Sequence, residues 1–469
     1  MVRAGQGKPY AKRGIPYAWI VLAVLFIGQV ASFGMRSSFG AYISPWEHEF
    51  SANRTLVSSI SMLSFVVFAL GQPLAGRLND RFGKSFVPSV SLFLMGACLL
   101  LTTQAGQVWQ VFLFYGVGFS LGVSGCCNAI VSVITTNWFV EKRGLALGLV
   151  MSSLGVGQLV LIPANLFIIE RLGWRDTMSM LSIIIMVVVG PLFIFLLRSR
   201  PEEKGLRPYG WTGSANGTGG SGLGGDPASG PRGGEIASSS ASAPGGGDPA
   251  SGLVASPASN TPENDSLGGG PASGLLPIGG VFRLRVFWLI FVSYFICGFT
   301  DVGLIQTHLI PIVQMKGFPV SSAALAFSLI AVSNIVGTIV TGFLSDRVSR
   351  TRQLSIIYAI RACTYIFLIL IRRPWQIPVF AVINGSMDMA SIAPTNSLAV
   401  QLFDRYSAGT VLGLVAISHQ LGGAFGSLVP GLLYDLTGSY SIMLTIAVFM
   451  LFGASLASLW IKDTEPGKK

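Results

Sequence analysis

Charged residues are scarce in this chain of 469 residues: they make up 11% of it, whereas a soluble domain carries about 25%. So small a share cannot cover a water-facing surface of this size, and this argues against a soluble globular protein. The sequence also lacks a Walker loop, a phosphate-binding glycine turn, zinc-ligand spacing and a nucleophile elbow. These absences argue against an ATP-driven pump, an enzyme and a protein that holds a metal or another cofactor.

Cysteine is equally sparse, with five residues that all lie inside apolar stretches. This pattern predicts small packing residues rather than disulfides or a metal site. The net charge of +11 would suggest nucleic-acid binding in a soluble protein. Here the basic residues lie in short segments between apolar runs, which indicates membrane orientation instead and predicts no nucleic-acid partner.

Long apolar runs are what the sequence has in abundance: 51% of the residues are hydrophobic and the mean hydropathy is +0.64. Runs of about 20 apolar residues match the thickness of a bilayer core. They predict an all-α membrane protein with helices at 17–43, 55–76, 86–104, 109–135, 143–168, 174–197, 286–311, 321–344, 353–371, 375–400, 408–431 and 438–461. The first run is too long for the apolar part of a cleaved signal peptide and is predicted to be the first span.

The twelve predicted spans fall into two groups of six, separated by residues 199–284. That segment consists mainly of Gly, Ser, Pro and Ala, cannot bury a core, and is predicted to be a flexible linker. We therefore expect a six-helix bundle over residues 1–198 and a second one over residues 285–469.

The distribution of Lys and Arg predicts the topology. With the N-terminus placed inside, 23 of the 31 basic residues fall in inner segments, six in outer loops and two within helices. This bias predicts both termini and the linker in the cytoplasm, in a multi-pass protein of the plasma membrane.

The two halves share a repeated loop. The segment that starts at Gly76 reads GRLNDRFGK, and the segment that starts at Gly342 reads GFLSDRVSR. Glycine, leucine, aspartate, arginine and a final basic residue coincide. Paired six-helix repeats with such loops are typical of transporters that alternate access by rocking one half against the other.

This loop and the six-plus-six arrangement resemble the major facilitator superfamily over nearly the whole chain. The resemblance implies two pseudo-symmetric six-helix bundles that transport a solute as a monomer. It also implies that Asp80 and Arg81, with Gly76, form a cytoplasmic gate that latches the halves together, with Asp346 and Arg347 as the second-half counterparts. The alternative is a turn with charges that reach the interface.

Within the superfamily the chain resembles the monocarboxylate porters. The resemblance rests on the exit of the first helix around Arg36, where those porters place a substrate-linked lysine. It also rests on QTHL from Gln306 and on the segments HQLGG from His419 and YDLTGSY from Tyr434. One departure is clear: the eighth helix has no charged residue, whereas the animal monocarboxylate transporters carry an Asp and Arg pair there.

Arg36 is the foremost candidate for an anion site. It shares one helical face with Gln29, Ser32 and Phe33, in the outer half of the first helix. A charge within a span is costly and marks a functional site by default. Its guanidinium would present a planar fork to a carboxylate. The alternative is an arginine that extends to the outer interface.

Two other helices carry titratable groups. The seventh has Asp301 and His308, two turns apart on one face, and either could accept a proton during transport. The tenth has a polar stripe that includes Asn384 and Asp388. Asp388 is either a coupling carboxylate or the counter-ion of Arg361 in the ninth helix. For Asp301 and His308 the alternative is a structural, hydrogen-bonded role.

Further polar groups could contact the substrate. Tyr115 and Asn128 lie on one face of the fourth helix, among glycines that we interpret as packing residues. Gln306, His308 and Asn384 complete the predicted substrate site.

We therefore expect a proton-coupled carrier of a small organic anion, with a monocarboxylate-like substrate. Arg36 would bind the carboxylate, and Asp301, Asp388 or His308 would carry the proton, which neutralises the loaded cavity before it closes. A facilitator-type exporter of drugs or metabolites is the alternative. A membrane sensor that transports nothing is disfavoured, because the linker contains no candidate signalling domain.

Overall fold

The computed structural model describes residues 16–82, 85–211, 278–345, 348–403 and 406–461. Within these ranges, twelve helices are long and apolar enough to cross a membrane. We label them α1 to α12: Tyr17–Ala41, Arg54–Asn79, Phe86–Thr103, Val108–Trp138, Arg143–Leu172, Trp174–Leu196, Arg285–Met315, Val320–Thr341, Arg350–Leu370, Gln376–Leu402, Gly409–Thr437 and Ser441–Leu459.

The predicted fold class is confirmed, and most helix ends agree with prediction within a few residues. The largest difference is α11, which was expected to end at 431 and continues through Pro430 to Thr437. It ends there because Gly438 adopts φ +67°, the left-handed conformation that commonly terminates helices.

The helix packing repeats between the halves. In the first half α1 packs on α5 and α3 on α6; in the second half α7 packs on α11 and α9 on α12. The halves meet where α2 packs on α11 and where α5 packs on α8. Each contact therefore has a counterpart six helices away, as expected of a pseudo-symmetric pair of bundles.

Glycine pairs allow the closest of these approaches. A Cβ on Gly34 of α1 would lie 2.7 Å from the carbonyl oxygen of Gly157 in α5. A Cβ on Gly303 of α7 would lie 2.5 Å from the Cα of Gly426 in α11. Small residues let membrane helices approach closely enough for van der Waals contact between backbones, which is the main attraction available in lipid.

Irregular turns interrupt two of the helices that carry predicted site residues. A π-helical segment runs over Phe299–Ile305 in α7 and contains Asp301. In α10, a 3-10 turn at Met389–Ser391 directly follows Asp388. Such local changes of helical pitch redirect side chains and are frequent at functional sites.

The two ends of the seam between the halves differ. We call the end that bears residues 198–211 and 278–285 the linker end, and the opposite one the far end. Toward the far end, a Cβ on Gly431 of α11 would lie 2.5 Å from Ser58 Oγ of α2. Near the linker end of the same helices, a Cβ on Gly76 or Gly409 would have no atom within 4 Å. Within the described ranges, the seam is thus closed at the far end and open at the linker end.

The predicted linker is described only at its two edges, and residues 212–277 lie outside the described ranges. Its first residues are attached to the first half. The backbone N–H of Tyr209 donates to the carbonyl of Trp138 (2.8 Å), and the carbonyl of Tyr209 accepts from Val140 (3.0 Å). The boundaries of the two halves and of the linker stay predictions.

Candidate functional site

Arg36 in α1 carries a charge without a carboxylate partner in the described part of the chain. Its guanidinium lies over the rings of Phe68 (3.9 Å) and Phe65 (4.6 Å) of α2. One of its nitrogens, Nη2, is buried and has no hydrogen-bond partner. The two ring contacts are cation–π interactions, which stabilise the charge but leave the N–H edge unsatisfied.

Polar groups around Arg36 are similarly unsatisfied. The hydroxyl of Tyr115 in α4 is buried without a partner and is close enough to Arg36 for electrostatic interaction. Asn128, nearer the C-terminal end of the same helix, is exposed and accepts a hydrogen bond from Gln29 Nε2 of α1 (3.0 Å). The structure therefore brings Arg36, Tyr115 and Asn128 to the shared surface of α1 and α4, and their contact with a substrate stays a prediction.

A second cluster lies wholly within the second half. Asp301, Asp388 and Arg361 are at most 4% exposed. The guanidinium of Arg361 donates to Cys297 Sγ (3.2 Å) and to Thr300 Oγ1 (3.1 Å), both in α7. Arg361 is therefore not a direct ion-pair partner of either aspartate, although both are near enough to act on it electrostatically.

The two carboxyl groups of this cluster are neighbours. Asp388 Oδ2 accepts from Asn334 Nδ2 of α8 (3.0 Å), while Oδ1 has no donor within the described residues. The carboxyl of Asp301 lies near enough to Asp388 to interact with it electrostatically. Two carboxylates held close together in an apolar interior repel each other, and one proton on the pair removes that repulsion.

Asn384, on the same stripe of α10, is fully buried, and neither its Oδ1 nor its Nδ2 has a partner. Gln306 is half-buried at the closed part of the seam, where its carbonyl and that of Thr307 face Gly40 of α1. Asn384 is thus a free polar group, whereas Gln306 belongs to the contact between the halves.

His308 has different hydrogen-bond partners from the aspartates. Its Nδ1 is 3.0 Å from the hydroxyl of Tyr440, and its Nε2 is 2.7 Å from the carbonyl oxygen of Ser427 in α11. Tyr440 also receives a hydrogen bond from Arg54 Nη1 (3.1 Å), at the start of α2. His308 therefore belongs to a polar network at the far end rather than to the carboxyl cluster.

The predicted gating residues lie at the open end of the seam. Gly76 faces open space and Arg81 is exposed. The backbone of Asp80 is helical and its side chain is not described; Asp346 and Arg347 lie outside the described residues.

Sequence reasoning missed the far-end network. Arg54 counted only as a basic residue of an outer loop, and Glu47 and Asp435 were given no role. A sequence signal did exist in the segment from Tyr434 to Tyr440, whose two tyrosines and one aspartate flank a helix end. Their partners on α2 come from the other half of the chain, so sequence spacing could not have identified them.

The comparisons with known proteins agree with this architecture. The sequence profile of the Major Facilitator Superfamily matches residues 25–427 and 373–469. An uncharacterized MFS-type transporter of Bacillus subtilis, YcxA, is 22% identical over 96% of this chain and 97% of its own length. Monocarboxylate transporter 13 of Rattus norvegicus is 22% identical over 94% of this chain and 88% of its own length.

Solved structures show the same fold. The crystal structure of a bacterial homologue of the human lysosomal transporter Spinster, in an inward-facing and unoccupied conformation, aligns with a TM-score of 0.67. The alignment covers 95% of this chain and 98% of that one, at 17% sequence identity.

Proposed function

Because the chain belongs to the major facilitator superfamily, a family of membrane transporters rather than of enzymes, we propose that it is a proton-coupled carrier of a small organic anion. The substrate class that we propose is a monocarboxylate. The observation that carries the proposal is the guanidinium of Arg36: among the described residues, its buried Nη2 has no partner and no carboxylate lies beside it.

An unpaired cation inside a membrane span has a high free-energy cost unless an anion binds beside it. The face of the guanidinium is occupied by Phe65 and Phe68, so its N–H edge is the part left for a ligand. A carboxylate matches that edge, because two parallel N–H···O bonds fit its two oxygens. The hydroxyl of Tyr115, which has no partner among the described residues, supplies a further donor. We assign Asn128 and Asn384 to the rest of the substrate surface, while Gln306 stays in the contact between the halves.

The mammalian monocarboxylate transporters among the relatives support the substrate class, at 22% identity. They do not supply the site, since α8 of this chain carries no charged residue. A carboxylate would here be bound from the first half, by Arg36.

We assign the coupling proton to the carboxyl pair of Asp301 and Asp388. With one shared proton, the pair carries a single negative charge, which balances Arg361 and leaves the buried cluster neutral. Loss of that proton leaves a net charge in an apolar interior, and this is expensive. The second half therefore favours its loaded, neutral state, as a proton carrier requires before it can change conformation.

Sidedness follows from the basic residues. Their excess at the linker end supports a cytoplasmic location for that end, both termini and the linker, and we take the membrane to be the plasma membrane. The conformation described above is then open to the cytoplasm. Gly76, Asp80, Arg81, Asp346 and Arg347 would close this end when a monomeric carrier turns outward.

Uptake into proteoliposomes tests the proposal. The panel contains lactate, pyruvate, oxalate, aromatic acids and neutral drugs, each measured with and without an inward proton gradient. We expect a monocarboxylate to accumulate with the gradient. Arg36→Ala should reduce its uptake at least tenfold, because the site loses a bidentate, charge-assisted contact that is worth about 1.5–3 kcal/mol. Arg373→Ala, which removes an exposed arginine, is the matched control.

The same vesicles test the proton site. Asp388→Asn should abolish gradient-driven uptake but retain exchange of labelled for unlabelled substrate, because exchange moves no net proton. Asp176→Asn, at an exposed position, is the control. If Arg36→Ala transports carboxylates as the parent does, the anion site is wrong. If only neutral compounds are transported, the chain is an exporter of the drug or metabolite type. If no compound of the panel is transported, the result supports a membrane sensor that transports nothing.

A further inference from the structure

A polar network joins the two halves at the far end, and the proposed transport cycle gives it no role. Asp435, near the end of α11, accepts hydrogen bonds from the backbone N–H groups of Arg54 (3.1 Å) and Thr55 (2.7 Å) and from the Thr55 hydroxyl (2.5 Å). The second half thus caps the N-terminus of α2, where unsatisfied N–H groups and the helix dipole favour a carboxylate.

The side chain of Arg54 extends this contact across the seam. It forms an ion pair with Glu47 of the first half (2.6 Å) and lies over the ring of Tyr434 in the second half (4.1 Å). It also donates from Nη1 to the hydroxyl of Tyr440. Arg54 is therefore the bridge between a carboxylate of one half and two aromatic residues of the other.

The partners of His308 define its protonation state in this closed seam. A carbonyl oxygen only accepts, so Nε2, which faces the carbonyl of Ser427, must carry a hydrogen. In a neutral imidazole Nδ1 is then an acceptor, and the Tyr440 hydroxyl donates to it. Burial raises the pKa of Tyr440, so that hydroxyl keeps its hydrogen. Three hydrogen bonds therefore follow one another: Arg54 donates to Tyr440, Tyr440 donates to His308, and His308 donates to the carbonyl of Ser427.

We propose that His308 is the proton-accepting residue of a far-end gate, formed with Tyr440, Arg54, Glu47 and Asp435, and that its protonation opens the gate. The proton binds to Nδ1 and turns it into a donor. The Tyr440 oxygen then faces two donors, while its own hydrogen loses its acceptor. Two cations, Arg54 and the imidazolium, also flank the same hydroxyl.

No other charged group of the described residues compensates for the added proton. The short helix Ile43–Glu49 and α2 contribute Arg54, which acts on His308 electrostatically, and Glu47, which is already paired with Arg54. His48 and Glu49 of the same short helix are exposed. From α11 and α12 it faces Tyr434, Asp435 and Tyr440, and Asp435 already caps α2. Asp301 lies two turns away on α7, and neither residues 38–41 nor α8 contains a charged side chain.

The direction of the effect follows from burial. His308 is 0% exposed while the far end is closed, so a proton reaches its ring only as the seam opens. Once protonated, the ring cannot restore the closed hydrogen-bond chain, and the population shifts toward the open state. The gate is independent of the anion site, because none of its residues contacts Arg36.

A cysteine at Ser58 reports on the gate. Ser58 is fully buried in the seam against Gly431, so its labelling by a maleimide requires opening of the far end. The full-length protein is used with Cys363, the exposed native cysteine, replaced by serine. The labelling rate is divided by that of Ser441→Cys, an exposed position at the start of α12, which cancels the pH dependence of the thiol.

We expect this ratio to rise about tenfold between pH 8 and about pH 5.5, within the roughly 5- to 150-fold range of common coupling effects. His308→Gln, which can keep both hydrogen bonds but cannot take a proton, should give a low ratio at either pH. His48→Gln removes an exposed histidine at the same end and should respond as the parent does.

Tyr440→Phe provides an independent arm. It removes the hydroxyl that links Arg54 to His308, so the ratio should be high at both pH values. The proposal is overturned if the labelling ratio of the parent does not change with pH. It is also overturned if the ratio of His308→Gln still rises at low pH, or if Tyr440→Phe is labelled as slowly as the parent. These outcomes are separate from transport, because labelling is measured without substrate.

Discussion

Replacement of Arg361 by methionine tests the charge balance of the buried cluster. Arg361 is 0% exposed, and its guanidinium makes two hydrogen bonds to α7. Without it, the carboxyl pair of Asp301 and Asp388 keeps one proton and one uncompensated negative charge. Removal of one partner of a buried charge set costs about 3–5 kcal/mol, even where the replacement fills the space.

The loss is measurable as a change in the apparent melting temperature of the purified protein, followed by tryptophan fluorescence in detergent. A six-helix half has the size for which 1 kcal/mol corresponds to about 2–4 °C, so Arg361→Met should lower the melting temperature by about 6–20 °C at pH 8. At about pH 5.5 the loss should be smaller, because a second proton on the carboxyl pair restores neutrality. Arg372→Met, at an exposed position, is the control.

A second substitution identifies the cause. Asp388→Asn added to Arg361→Met removes the surplus negative charge, and the double variant should regain a large part of the lost stability. The two effects are expected to be strongly non-additive, since both groups belong to one electrostatic cluster. The reasoning is refuted if Arg361→Met loses as much stability at pH 5.5 as at pH 8, or if the two substitutions simply add.

Two further predictions concern packing. Gly431→Val places a side chain where a Cβ already approaches Ser58 Oγ to 2.5 Å, so overpacking of about 1–3 kcal/mol should raise maleimide labelling of Ser58→Cys at least fivefold. Gly409→Val adds a side chain that faces open space in the same helix, so it should leave the labelling of Ser58→Cys unchanged. If the two valine variants label Ser58→Cys at the same rate, the seam is not closed at Gly431. Tyr42→Phe removes a buried hydrogen bond to Asn165 Oδ1 and should cost about 1–3 kcal/mol, measured by melting temperature. A variant as stable as the parent would show that this bond does not hold the segment after α1 on α5.

The fold could be predicted because membrane helices are specified locally. In lipid every backbone polar group must be satisfied within its own segment, so each apolar run of sufficient length forms a helix whatever its neighbours are. The end of α11 shows the limit of this reasoning. The predicted helix ended at residue 431, but the helix continues past Pro430 to Thr437, because packing against α2 outweighs one lost hydrogen bond and Gly438 provides the next conformation that ends a helix.

The site could be predicted in part. Arg36 was identified because an arginine inside a span is conspicuous in one dimension, and the structure adds that Phe65 and Phe68 cover its face while Nη2 has no partner. Asp301 and Asp388 were identified for the same reason. Their proximity could not be predicted, because the two groups lie at a π-helical segment in α7 and a 3-10 turn in α10 that no sequence period indicates.

The sequence alone therefore determined the number of spans, the repeat of the two halves and the candidate charged groups, since hydropathy and charge are properties of each segment by itself. Tertiary structure decided which groups lie next to each charged side chain. It brought Asp301 near Asp388, directed Arg361 to Cys297 and Thr300 instead of a carboxylate, and placed His308 in contact with Tyr440 rather than with the aspartates. Such partners come from helices far apart in the chain, so they exist only once the helices have packed.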